Sequence, residues 1–176
     1  PFGVRGGEER ATARGGLGGE TGFPPRERAE GERRGVIDTH AHLDALEDAN
    51  VTVARARAAG VTRIVTIGTG IDSCRAALAI AQENEGVYAA LGIDPHQAGS
   101  EEAERVDELR GLLGHAAAVA VGEAGLDYHY GADRQAEQRW LFEAQLVLAD
   151  ELELPVVVHT RSANADTESL LRGHGG

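Results

Sequence analysis

From residue 36 onward, short apolar runs alternate with stretches whose apolar residues recur at helical spacing. The runs are Val36-Ile37, Ile64 to Ile67, Val87 to Leu91, Ala117 to Val121 and Pro155 to Val158. They are too short for helices, rich in β-branched residues and free of strict alternation, as expected of strands buried on both faces. Between them, Cys74, Ala77, Leu78 and Ala81 share a helical stripe that follows the good capping residues Asp72 and Ser73. Val106, Leu109 and Leu113 make a second stripe. Leu141, Ala144, Leu148 and Leu152 make a third, inside a helix expected over about 133–152. Gly60, Gly86 and Gly114 stand where helices should stop. Strand then helix, five times over, predicts a parallel α/β sheet. An open doubly wound sheet would be complete with five strands, whereas a (β/α)₈ barrel needs about 250 residues. Pattern alone does not choose between them.

Residues 1–35 have another character. Ten of the 35 are glycine, with seven arginines and six glutamates, and the large apolar residues are Phe2, Val4, Leu17 and Phe23. Such a segment buries too little surface to offset its ordering entropy, so it is expected to be a disordered leader ahead of a domain over 36–176. The formal net charge is −12, which argues against a protein that grips nucleic acid by a broad basic face. The leader carries seven arginines and six glutamates, so the remainder is the acidic part. No apolar run approaches the roughly 20 residues that span a bilayer. Cys74 is the single cysteine, which excludes an intrachain disulfide framework and fits a reducing, cytoplasmic setting.

The chemistry collects where the runs end. The first ends in Asp38-Thr39-His40-Ala41-His42, the fourth in Gly122-Glu123 and the fifth in His159-Thr160-Arg161. Residues two apart on an extended chain face the same way, so both imidazoles of the first run can converge on one ion. The C-terminal ends of parallel strands are where such sheets gather their active residues. His40, His42, Glu123 and His159 thus form the ligand set of a mono- or dinuclear hydrolytic site, with Glu123 able to bridge. Each element has a plainer reading: a hydrogen-bonded strand end for His-x-His, a helix N-terminal acid for Glu123, a polar terminus for His159. Four metal-competent residues at one end of three strands outweigh these. No Gly-x-Ser-x-Gly elbow is present, and Gly68-Thr69-Gly70 lacks the third glycine of a dinucleotide turn. Cys74 and Trp140 read as helix packing, His115 as a loop residue leading into a strand, and His174 as an exposed helix end.

Asp38-Thr39-His40-Ala41-His42-Leu43-Asp44 resembles the opening motif of the TatD family, and Val121-Gly122-Glu123-Ala124-Gly125-Leu126-Asp127-Tyr128 resembles its Gly-Glu-x-Gly-Leu-Asp-Tyr signature. Gln138, Phe142, Gln145-Leu146 and Ala149 are similar to its long fourth helix, which leads into Leu154-Pro155-Val156-Val157-Val158-His159-Thr160-Arg161. The resemblance covers 36–172. It implies a (β/α)₈ TIM-barrel hydrolase of DNA phosphodiester bonds with one or two divalent ions, magnesium, manganese and zinc being equally compatible. His40, His42 and Glu123 would hold one ion, and Glu123 with His159 the second. Arg161 would fork onto a phosphoryl oxygen, His96 would face a phosphate from the loop after strand three, and Asp127 would orient a ligand or cap a helix. The family often has Gly-x-His-Pro-His after strand three, where this chain has Gly92-Ile93-Asp94-Pro95-His96. An acid at that point weakens contact with a polyanion and keeps open an amidohydrolase acting on a neutral ester, amide or aminoacyl bond, or a non-catalytic remnant. A histidine after strand six and an aspartate after strand eight have no match. The sequence is therefore expected to represent the first five β/α units, inactive alone, with strands one and five as open edges. DNA or another phosphodiester is the expected partner, with no membrane and no obligate protein partner.

Overall fold

The computed structural model describes residues 35–174. The expected disorder of 1–35 thus lies outside the described residues, Gly35 apart. Five parallel strands alternate with five helices: β1 Val36–Ala41, α1 Ala49–Ala58, β2 Val61–Gly68, α2 Ile71–Glu83, β3 Val87–Leu91, α3 Val106–Leu113, β4 Ala118–Asp127, α4 Gln135–Leu152, β5 Val156–Arg161 and α5 Asn164–His174. Short 3₁₀ turns at Leu43–Ala45, Pro95–Gln97 and Glu101–Glu104 fill the loops after β1 and β3.

The strand order is β1-β2-β3-β4-β5, every pair parallel. That order decides between the two architectures. A doubly wound sheet reverses direction at a switch point, whereas steps in one direction with right-handed crossovers put every helix on one side and curl the sheet into a barrel wall. The helices pack as a consecutive outer layer, α2 on α3, α3 on α4 and α4 on α5.

Alternation along the strands divides the core. Ile64, Val87, Leu91 and Val121 meet Cys74, Leu78, Leu109, Leu141 and Leu148 from the helices. Val65, Ile67, Ala90, Ala120 and Val157 form a smaller apolar layer of their own, as the inner face of a barrel requires. Phe142 and Leu146 of α4 seat on Ala124 and Leu126 of β4. Burying a side chain such as Phe142 contributes about 1.5–3 kcal/mol.

Val36, Ile37 and Val158 are exposed, as expected of strands one and five as open edges, since β1 and β5 each have one neighbouring strand among the described residues. Three expectations are corrected. Trp140 is 56% exposed, since it precedes Leu141 on α4 and is turned about 100° from the buried stripe. The residue preceding α2 is Gly70, not Asp72 or Ser73; the Ser73 hydroxyl instead accepts from the Thr69 amide at 3.1 Å. His174 is half-buried as the last residue of α5, with Nδ1 2.8 Å from Asp150 Oδ2.

Candidate metal centre and strand-end rim

Strand β4 runs to Asp127, past the end at Val121 that its apolar residues suggest, and the extension shapes the site. Its register against β5 jumps from Val121↔Val156 to Ala124↔Val158, three residues facing two. Such a bulge re-aims a side chain, here Glu123, toward the neighbouring strand ends. Two glycines permit it. Gly122 has φ +129° and Gly125 has φ +152°, and a Cβ on either would overlap the carbonyl oxygen of Val157 or His159 respectively. The glycines of the signature are there so that two backbones can touch.

Around the Glu123 carboxylate, His40 Nε2 lies 3.4 Å and His42 Nε2 3.9 Å from Oε2, while His159 Nδ1 lies 2.7 Å from Oε1. The His40, His42 and Glu123 donor atoms all fall within 4.8 Å of one another. The His40 and His42 imidazoles are 44% and 43% exposed against 14% for Glu123, so the carboxylate forms the floor and the histidines the open side. Asp38 Oδ1 accepts from the His40 amide at 3.1 Å and fixes the strand end. The four expected ligands thus stand at one rim, three as a compact group and His159 on the far oxygen of Glu123.

Asp127 is 1% exposed and caps no helix, since α4 begins at Gln135 after Arg134. Its Oδ1 accepts from the amides of His129 and Tyr130 at 3.0 and 2.9 Å. Its Oδ2 faces His159 Nε2 at 3.1 Å and His96 Nε2 at 3.4 Å. Burial pushes this carboxyl upward, but the Tyr130 amide, the His159 ring and the His129 amide together hold it below the usual carboxylate range. His96 is held on its other side by Asp94, whose Oδ2 lies 3.4 Å from Nδ1. Arg161, two residues beyond His159 on the same strand, lays its guanidinium over the Tyr130 ring, 4.6 Å from the centroid.

Sequence reasoning missed the buried amides that hold this rim. Gln138 and Gln145 of α4 are 1% and 0% exposed and grip the backbones of Asp127 and Ile93. The signal was two polar residues at i, i+7 next to the apolar stripe, which reads equally well as a solvated helix flank. The sequence marks Asp44 only as part of its motif. Its carboxylate accepts from Ser73 at 2.6 Å and ties the loop after β1 to α2. Cys74 is a small core residue, as expected, with its thiol donating to the Gly92 carbonyl at 3.3 Å and burial pushing its pKa up to about 12.

Known proteins resemble this chain in sequence and in fold. The chain is 42% identical over 137 residues to the 3'-5' ssDNA/RNA exonuclease TatD of Cronobacter sakazakii, covering 78% of this chain and 51% of that one. It is 35% identical over 143 residues to the metal-dependent hydrolase YabD of Bacillus subtilis, covering 80% and 56%. The crystal structure of YjjV, a TatD homologue from Escherichia coli K12, superposes with a TM-score of 0.69 at 33% identity, over 78% of this chain and 55% of that one. The chain spans about half the length of the curated relatives it matches. No helix among the described residues is long and apolar enough to cross a membrane. With the TatD related DNase family model matching residues 37–175, this chain belongs to that family.

Proposed function

We propose that the rim around Glu123 is the divalent-metal centre of a hydrolase that cleaves phosphodiester bonds in nucleic acid. The observation that carries this reading is the Glu123 carboxylate, flanked by His40 and His42 at one oxygen and by His159 at the other. The donor set fits a divalent ion. Ligands about 2.1 Å from a tetrahedral ion stand about 3.4 Å apart, against 3.4 and 3.9 Å from Glu123 Oε2 to the His40 and His42 imidazoles. His159 meets a carboxylate at each ring nitrogen. With Nε2–H donating to Asp127, Nδ1 turns a lone pair toward Glu123, so His159 and Glu123 would together hold a cation. One or two ions are compatible, and the nitrogen-rich set admits zinc or manganese as well as magnesium.

Such an ion supplies Lewis acidity toward water and toward a phosphoryl oxygen. The chain's own residues do the rest. Glu123 would contribute the negative charge that holds a cation, and Asp127 orients the His159 ring. Arg161 presents a planar fork to a non-bridging oxygen, and His96 faces the same space. The Asp94 carboxylate beside His96 favours the second reading, a neutral ester or amide substrate, because it adds negative charge where a polyanion would approach.

Calorimetric titration with manganese and zinc, followed by assays on a single-stranded oligonucleotide and an aminoacyl ester, tests the proposal. Metal binding that is lost in Glu123→Gln, with oligonucleotide cleavage, supports it. Metal binding with turnover of the ester alone moves the chain to the second reading. No metal binding overturns both and leaves a non-catalytic remnant.

A further inference from the structure

Tyr130 is 64% exposed, the most open of the large hydrophobic side chains among the described residues, yet it is not loosely placed. It rides on a tight turn in which Asp127 Oδ1 accepts its amide at 2.9 Å and the Asp127 carbonyl accepts from Gly131 at 3.1 Å. The same Asp127 carboxylate holds His159, which contacts Glu123. The ring is therefore anchored through one residue to the metal centre. Its neighbours fix its orientation as well. The Arg161 guanidinium lies over the ring at 4.6 Å from the centroid. The His129 ring meets it edge-on at 4.6 Å, and His96 lies 6.2 Å away at a tilt of 49°. Arg75, Arg105, Arg110, Arg139 and Arg172 each hold a carboxylate. Arg161 pairs with no carboxylate among the described residues and spends its charge on an aromatic face.

We infer that Tyr130 and Arg161 form a nucleobase-stacking subsite beside the metal centre, the tyrosine ring taking one base and the arginine the adjoining phosphate. The inference rests on the nucleic-acid reading above and deepens it. A guanidinium stacked on an aromatic ring keeps its edge N–H groups free, so it can bind a phosphate without leaving the ring. The charge of the chain favours a stacking contact. At a net −12 the chain as a whole repels a polyanion, so a contact that charge does not oppose adds local affinity. Stacking on an aromatic ring is such a contact, and it tolerates any base because every base has a π-face. Bases within a duplex are already stacked on one another, so the subsite takes a nucleotide that is single-stranded or frayed.

Fluorescence anisotropy of the full chain with magnesium tests this, using labelled oligothymidylate and an equally long strand of abasic residues. Wild type should bind oligothymidylate more tightly than the abasic strand. Tyr130→Ala should weaken oligothymidylate binding by about five- to a hundredfold and leave abasic binding within about twofold. Tyr130→Phe, which keeps the ring, should stay within about threefold of wild type on both strands. Unchanged oligothymidylate binding in Tyr130→Ala, an equal loss on both strands, or equal wild-type affinity for the two strands overturns the subsite while leaving the metal-centre reading standing. Wild-type binding to neither strand overturns the nucleic-acid reading itself, and the subsite with it.

Discussion

Gln138 holds both backbone groups of Asp127, accepting from its amide at 2.7 Å and donating to its carbonyl at 3.0 Å. Two helical turns further along α4, Gln145 does the same to Ile93, at 2.8 Å in each direction. These side-chain amides act as short pieces of strand, pairing with main-chain groups at the end of β4 and just beyond the end of β3. They set the height at which His96 and Asp127 enter the rim.

Replacing Gln138 by Glu keeps the volume and the acceptor but removes the donors that satisfy the Asp127 and Gly131 carbonyls. We expect a loss of about 1–3 kcal/mol, the cost of leaving buried groups unpaired. Urea unfolding should show a lower midpoint with an unchanged slope. A variant as stable as wild type would mean that the paired hydrogen bonds contribute nothing net.

Glu123→Gln should abolish cation binding, because a neutral amide cannot compensate two imidazole-bound charges or accept on both of its ends. Arg161→Ala, whose guanidinium touches Tyr130 rather than Glu123, should leave metal affinity within about twofold and weaken substrate phosphate contact by about 1.5–3 kcal/mol. Calorimetry with manganese separates them. Equal metal loss in both variants would contradict the division of roles.

The strand ends were legible in the sequence because parallel α/β sheets collect chemistry at one rim, so the His40-x-His42, Glu123 and His159 positions could be grouped without coordinates. The order of the strands was not, since periodicity reports burial and not neighbours. The extension of β4 through Glu123 was hidden for a related reason: the apolar run stops at Val121, and nothing in the pattern says that Gly122 and Gly125 let β4 continue against β5. Gln138 and Gln145 carry a resemblance in the sequence but no sign of their bonds, because a buried amide and a solvated one look alike there.

The Cys74 thiol, pushed from an ordinary 9.0 up to about 12 by burial, predicts a stability slope in alkali. Below pH 9 the thiol is protonated in both states and contributes no slope. Between 9 and about 12 the unfolded chain releases its proton while the folded one retains it, so stability falls as pH rises. Tyr128 acts in the same sense, raised from 10.0 to about 12 by burial and by donating to Asp166 at 2.7 Å. Urea midpoints measured from pH 8 to 12 should decline, and Cys74→Ala should flatten part of the decline. An identical slope in that variant would show that the thiol is not the group responsible.

Gly125 gives the sharpest test of how the fold makes the site. It lies at φ +152°, where an L side chain is strained, and a Cβ there would overlap the His159 carbonyl oxygen. Register pairs Gly125 directly with His159, so β5 has to move away or β4 has to rotate to admit a methyl group. Backbone strain of this kind costs about 1–3 kcal/mol before the clash is counted, and overpacking adds about as much again. Any displacement is delivered to the residue that bridges Glu123 and Asp127. Gly125→Ala should therefore lower the urea midpoint and weaken metal binding together, although it alters no ligand. Gly111→Ala serves as the control. Gly111 sits within α3 with open space around its missing Cβ, and a helix-interior Gly→Ala stabilises by about 0.5–1 kcal/mol. If Gly125→Ala bound manganese with wild-type affinity, the close approach of β4 and β5 would not be what positions His159.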